Sequence, residues 1–219
     1  TGTIIGDKTS PYLDTVSVFN NTASNYFVVK DTQEVIVTAL VVDTNKGVIE
    51  TFRITGDFRP LGYGTAVTAS SYTQSSGIAS WTLSSVSLTA DGTVIVTVAL
   101  SDTAGNKSTE ATGTIIGDNL NPEITTVSVF NLDEDNYFTV RNGDTVRITV
   151  QVSDGNRNKM TAVDITGDFR TLGYGTIVSA DSYDQSTGVA TWTLDEVSVT
   201  AEGVSIVTVA ARDVADNQS

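Results

Sequence analysis

The 219-residue chain contains no cysteine and no histidine. Without cysteine there are no disulfides and no thiolate chemistry, while the compartment stays open, because secreted proteins can also lack disulfides. Without either residue, Ser-His-Asp and Cys-His nucleophilic centres and histidine-ligated zinc are excluded. Carboxylate pairs could still serve glycosidase chemistry. The acidic residues fall in turn-like segments, however, and no spacing marks one as acid and another as base, so no enzyme is expected. Basic residues are few, 12 against 26 acidic ones, for a net charge of -14. Such a field repels nucleic acid and anionic membrane surfaces and leaves cations or other proteins as partners. No apolar run approaches the roughly 20 residues of a membrane-spanning helix, and no basic segment followed by an apolar one opens the chain. Membrane insertion is therefore not expected, and the chain reads as a mature protein or as an excised piece.

Thr, Ser, Val, Asp and Gly dominate what is present, with 39% hydrophobic and 17% charged residues. That is a folded, strand-rich composition with little helix. Shifted by 111 positions, the sequence aligns with itself end to end without a gap, and 59 of the 108 overlapping positions are identical. Two tandem copies of one domain follow. The strongest matches are TVSVFN (15–20 with 126–131), ITGDFR (54–59 with 165–170), LGYGT (61–65 with 172–176) and IVTVA (95–99 with 206–210), and Trp81 matches Trp192.

Alternation of period 2, interrupted by Asn, Asp and Gly clusters, predicts seven strands per copy. In the first copy they are A at 14–20, B at 34–42, C at 48–56, D near 64–70, E at 77–83, F at 92–101 and G near 108–116. Seven short strands in about a hundred residues, without a helical period, predict an all-β chain of two tandem immunoglobulin-like β-sandwich domains. Trp81 on strand E is expected in the core.

The heptapeptide TGTIIGD occurs twice without a change, at 1–7 and at 112–118. If 112–118 is the last strand of the first domain, the repeat is framed as an N-terminal strand (1–7), a first domain (8–118) and a second domain (119–219) that lacks its own last strand. Two explanations remain open. The chain is a fragment of a longer array cut in this frame, or residues 1–7 complete the second domain of a neighbouring copy by donor-strand complementation, through backbone pairing. The second makes copies of the chain, joined head to tail, its own partners.

Other motifs read more plainly. The Gly-Tyr-Gly triplets at 62–64 and 173–175 are not phosphate loops, since no Gly-Lys-Ser/Thr follows; they are expected to turn between C and D. Asp57 and Arg59, like Asp168 and Arg170, are placed to form a surface ion pair or part of an interdomain contact. Tyr63, Tyr72, Tyr174 and Tyr183 are the aromatics available to a carbohydrate-binding surface, or else packing residues.

The acidic loops carry the most chemistry. In a sandwich of this order the entering segment and the B–C and F–G loops meet at one pole. That groups Asp7, Asp43, Asn45, Asp102 and Asn106 in the first copy and Asp118, Asp154, Asn156, Asp213 and Asn217 in the second. Three carboxylates at one pole repel one another unless protonated or neutralised by a cation. Calcium suits them best, since it accepts six to eight oxygens, Asn and backbone carbonyls included, in flexible geometry. The alternative is that these Asp and Asn residues serve only as turn formers. Asn20, Asn106 and Asn217 each begin an N-glycosylation triplet, and for Asn106 a ligand role and a glycan exclude each other.

Tandem sandwiches, an Asp in the linker, and a strand F ending in Asp102-Thr-Ala-Gly-Asn106 resemble the bacterial Ig-like repeats of long surface adhesins and related surface-layer or filament proteins. The resemblance covers both copies on short motifs. It implies calcium at the domain junctions, with Asp7, Asp102, Asn106, Asp118, Asp213 and Asn217 as ligands. The second copy departs from the pattern, with Asp216 where the first has Gly105. The expected protein is a non-enzymatic, extracellular subunit of a cell-surface filament. The alternatives are calcium-rigidified extender domains of a giant adhesin and a carbohydrate-binding surface module.

Overall fold

The structure, a computed structural model, describes residues 4, 6–22, 26–133, 138–155 and 159–219. It resolves the chain into two compact units, Thr1–Asn119 and Leu120–Ser219.

In the first unit nine strands follow in order: β1 (Tyr12–Asn20), β2 (Val28–Val29), β3 (Val35–Val42), β4 (Ile54–Asp57), β5 (Val67–Thr68), β6 (Ser71–Thr73), β7 (Ile78–Leu83), β8 (Gly92–Leu100) and β9 (Ala111–Gly117). They form two sheets, ordered β1-β3-β7-β6 and β2-β9-β8-β4-β5. β3 shows the governing physics, its eight residues alternating buried and half-buried because successive side chains of a strand point to opposite faces. The inward residues of both sheets close over one core that contains Val37, Phe58, Trp81, Val96 and Val98. Trp81 is fully buried, its ring edge-on to Phe58 at 5.6 Å and its indole N–H donating to the Val67 carbonyl at 2.9 Å. That bond satisfies the one polar atom of an otherwise apolar side chain.

The ITGDFR motif is a packing device. The Phe58 ring folds back over Gly56 so closely that a Cβ there would lie 2.2 Å from the ring, and Gly167 and Phe169 repeat this at 2.0 Å. Only glycine leaves room for the ring that meets the tryptophan. Gly62, at φ +82°, then ends a short 3-10 turn (Arg59–Leu61) before the chain re-enters the sheet.

The second unit repeats the plan with β10 (Glu123–Asn131), β11 (Val146–Ser153), β12 (Ile165–Asp168), β13 (Val178–Ser179), β14 (Ser182–Asp184), β15 (Val189–Leu194) and β16 (Thr208–Ala211). Its sheets are β10-β11-β15-β14 and β13-β12-β16. Among the described residues the latter has three strands where its counterpart in the first unit has five.

Strands A, B, E and F lie within two residues of the sequence reading at each end, while C, D and G differ more. Strand C, expected over 48–56, is confined to Ile54–Asp57, with 3-10 turns at Lys46–Val48 and Thr51–Arg53 carrying the chain between sheets. Strand D, expected near 64–70, is confined to β5, which pairs with β4, and a further strand, β6, which was not expected, pairs with β7. Strand G occupies Ala111–Gly117 rather than 108–116, and β2, parallel to it, was not expected.

Candidate functional sites

The first site lies where the segment entering the first unit meets the loops after β3 and β8. Asp7, Asp43 and Asp102 each bring a carboxylate oxygen within 4.8 Å of the other two. Asp102 is buried, and its Oδ1 accepts from the Asn106 backbone N–H (2.8 Å) and its Oδ2 from the Asn106 side-chain amide (2.7 Å). Burial pushes the Asp102 carboxyl up, but these bonds, with those from the Gly105 and Ala104 backbone, outweigh it and leave the group below its ordinary range, hence ionised. Asp7 accepts from the Thr9 N–H at 3.0 Å and from the Asn45 side-chain amide at 2.8 Å. Asp43 accepts from the Asn45 backbone N–H through Oδ1, while its buried Oδ2 has no hydrogen-bond partner. No basic side chain among the described residues pairs with any of the three. At this spacing the like charges repel one another, which costs stability. A bound divalent cation would remove that cost and supply the missing partner of Asp43. Asn45 and Asn106 point their amide nitrogens at the carboxylates, so in this arrangement they orient the acids.

In the second unit Asp154 and Asp213 likewise have carboxylate oxygens within 4.8 Å of each other. Asp213 is buried and accepts from the Ala215 and Asn217 backbones (2.8 and 2.9 Å) and from the Asn217 side chain (2.9 Å). Asp216 takes the left-handed conformation of its counterpart Gly105, at φ +67° against +90°, so the turn survives the substitution. Asp118 belongs to the first unit, where it is buried just beyond β9 and its N–H donates to the Val29 carbonyl at 2.9 Å. Asn156 lies outside the described residues.

The second site is an open sheet edge. In the first unit β9 inserts between β8, antiparallel, and β2, parallel. The second unit has no such strand among its described residues, and a groove of about 830 Å³ runs along the corresponding edge, bounded by Val129, Phe138, Val140, Val199 and Val207. Val96 is fully buried, whereas its counterpart Val207 is half-exposed, and exposure rises from 8% at Val18 to 39% at Val129. Val204, on the open edge, is 93% exposed.

One wall of this groove was not legible in the sequence. Asn131 is buried at the end of β10, and its amide donates to the Thr139 carbonyl and to Asp144 Oδ2, both at 2.7 Å. Arg141 adds a backbone bond at 3.0 Å and an ion pair at 3.2 Å to the same carboxylate. This holds segment 139–141 in place, as Asn20 and Gln33 hold Val28 in the first unit. The available signal was a polar residue, Asn20 and Asn131, repeated at the end of an apolar strand.

The remaining candidates are engaged elsewhere. The Asn20 amide is buried in that network, and the Asn106 and Asn217 amides donate to Asp102 and Asp213. The hydroxyls of Tyr63, Tyr72 and Tyr174 donate to the carbonyls of Ser84, Lys46 and Asp195, and Tyr183 packs against the second core. Asp57–Arg59 and Asp168–Arg170 are exposed ion pairs within their own units, of the solvent-screened kind that adds little stability.

Fold and sites define the chain as an all-β protein of tandem immunoglobulin-like sandwiches. No protein-family model and no curated protein matches it. Among solved structures it is similar to the fibronectin(III)-like modules of Clostridium thermocellum CbhA, at 14% identity and a TM-score of 0.37, over 94% of this chain and 89% of that one.

Proposed function

We propose that the chain is a non-enzymatic, extracellular structural protein, a subunit of a cell-surface filament. Copies join head to tail, residues 1–7 of one filling the groove in the second unit of the next. The observation that carries this reading is a pair of facts. The groove follows the edge that β9 occupies in the first unit, and residues 1–7 repeat the sequence of 112–118, which contains most of β9. Coverage is nearly complete, since β9 spans Ala111–Gly117 and residues 1–6 match all but its first position. Ile4 is 96% exposed, whereas its counterpart Ile115 is 3% exposed, so Ile4 has apolar surface to bury elsewhere.

Calcium complements the scheme. Asp7, which directly follows residues 1–6 in the sequence, is held at the first unit's pole with Asp43 and Asp102. A calcium ion there would fix the direction in which the donor strand departs. The repeat assigns Asp118, Asp154 and Asp213 the equivalent roles in the second copy.

The test is deletion of residues 1–6, followed by light scattering and negative-stain microscopy. Filaments from the full chain and separate particles from the truncated one are expected. Equal assembly of both would overturn donor-strand joining. Separate particles from both would favour extender repeats of a longer adhesin, in which a following segment fills the groove.

A further inference from the structure

Not every strand that reaches the open groove would fit it. On β9 the buried face reads Gly113, Ile115, Gly117, a large residue between two without side chains. The register sets Gly113 opposite Val96, Ile115 opposite Val94 and Gly117 opposite Gly92. Beneath Gly113 runs a ridge of two β1 valines, and a Cβ at that glycine would lie 2.7 Å from Val18 Cγ2, 2.9 Å from Val16 Cγ1 and 3.2 Å from the Val16 carbonyl oxygen. Branched tips on a strand hydrogen-bonded to β3 have little room to withdraw. At Gly117 the limits are looser, 3.0 Å from Leu88 Cδ1 and Val94 Cγ2 and 3.2 Å from the Ala90 oxygen.

The second unit keeps the strict feature and relaxes the loose one. Val127 and Val129 stand where Val16 and Val18 do, on a β10 paired to β11 in the same register as β1 to β3, whereas Leu88 and Val94 are replaced by Val199 and Ser205.

We infer that Gly2 determines which strand the groove admits and in what register. The ridge of Val127 and Val129 accepts only a residue without a side chain, Ile4 fills the space opposite Ser205, and Gly6 meets Gly203. The partner is a strand of a second copy with the pattern Gly-x-Ile-x-Gly. A slip of two residues would drive Ile4 onto the valine ridge, and a slip of one would turn Ile4 to solvent. This inference rests on the donor-strand reading.

The test uses the full chain, diluted below the concentration at which it assembles so that its groove is unfilled, and a C-terminally labelled TGTIIGD peptide, with binding followed by fluorescence anisotropy. Gly2→Val in the peptide is expected to weaken binding about ten- to a hundredfold through overpacking, although valine is the better strand former. Thr3→Val, on the face that is exposed at Thr114, should bind as the parent does. Val127→Ala with Val129→Ala in the full chain should restore much of the affinity lost by the Gly2→Val peptide. If the parent peptide fails to bind, donor-strand complementation itself is overturned. If it binds and the Gly2→Val peptide binds equally, or if lowering the ridge rescues nothing, donor-strand joining stands and the role of Gly2 is overturned.

Discussion

Ile4 and Ile115 occupy the same place in an identical heptapeptide, yet one is 96% and the other 3% exposed within a single chain. Replacing each by alanine should therefore have opposite consequences. Ile115→Ala removes three buried carbons at about 0.8 kcal/mol each and leaves a cavity, so the first unit should lose about 2 to 5 kcal/mol of stability. Ile4→Ala removes the same carbons from a position in water and should leave the isolated chain's stability within about 0.5 kcal/mol. Its effect should appear only where chains join. There the same three carbons, about 2.4 kcal/mol, correspond to an assembly concentration raised about fiftyfold. The assays are a denaturant melt at low protein concentration and a light-scattering titration of assembly against concentration. An Ile4→Ala chain that assembles at the parent's concentration would refute the reasoning. So would one whose melting is as damaged as that of Ile115→Ala, since Ile4 would then be buried within its own chain.

Two further predictions concern charge. In millimolar calcium the parent chain should melt higher than in excess EDTA, by about 2.7 kcal/mol of stabilisation if calcium stands at about a hundred times its dissociation constant. Asp43→Asn should remove the first unit's part of that response while raising stability in EDTA, because it relieves carboxylate repulsion; coincident curves in calcium and EDTA for the parent would dismiss the cation. On acidification the second unit should weaken more than the first along its groove wall. The Arg141 backbone N–H, together with the Asn131 and Arg141 side chains, holds the Asp144 carboxyl below its ordinary value, while its counterpart Gln33 does not titrate. A depressed carboxyl pKa contributes stability that is present above the unfolded value near 4 and is lost as pH falls through the folded one. Asp184, bonded by Ser186 and Thr187 and lowered to about 2, behaves the same way, and its counterpart in the first copy is Thr73, which does not titrate. Unfolding of Asp144→Asn at pH 7 and pH 3 should show a smaller acid effect than the parent's, and an equal effect would refute the assignment.

The sandwich was legible wherever a strand carries its own pattern. β3 and β7 alternate because one face of each is inside, and Trp81 could be assigned to the core from its place in that alternation. Convergence of Asp7, Asp43 and Asp102 followed from strand order alone, since topology decides which loops share a pole. The segments between sheets were not legible. Residues 46–53 have the apolar content of a strand, yet they form 3-10 turns with Ile49 buried and Val48 and Phe52 exposed, because the chain must cross there from one sheet to the other. β5 was expected as strand D, but β6 was missed, because nothing local states that residues 71–73 pair in the other sheet.

The sequence by itself determined the two copies, the all-β fold, the alternation of the long strands, and which acidic residues lie in the loops. All of these rest on local period and on identity between copies. Only the tertiary structure decided which of those residues are strands. IVTVA is wholly within β8 at 95–99, where β9 lies alongside, but at 206–210 only its last three residues belong to β16. Val28–Val29 forms β2 beside β9, whereas Thr139–Val140 forms no strand. The physical reason is that side-chain alternation belongs to one segment, but a ladder of backbone hydrogen bonds belongs to two. A segment with the right pattern becomes a strand only when a partner arrives, and in the second unit that partner's place is the groove.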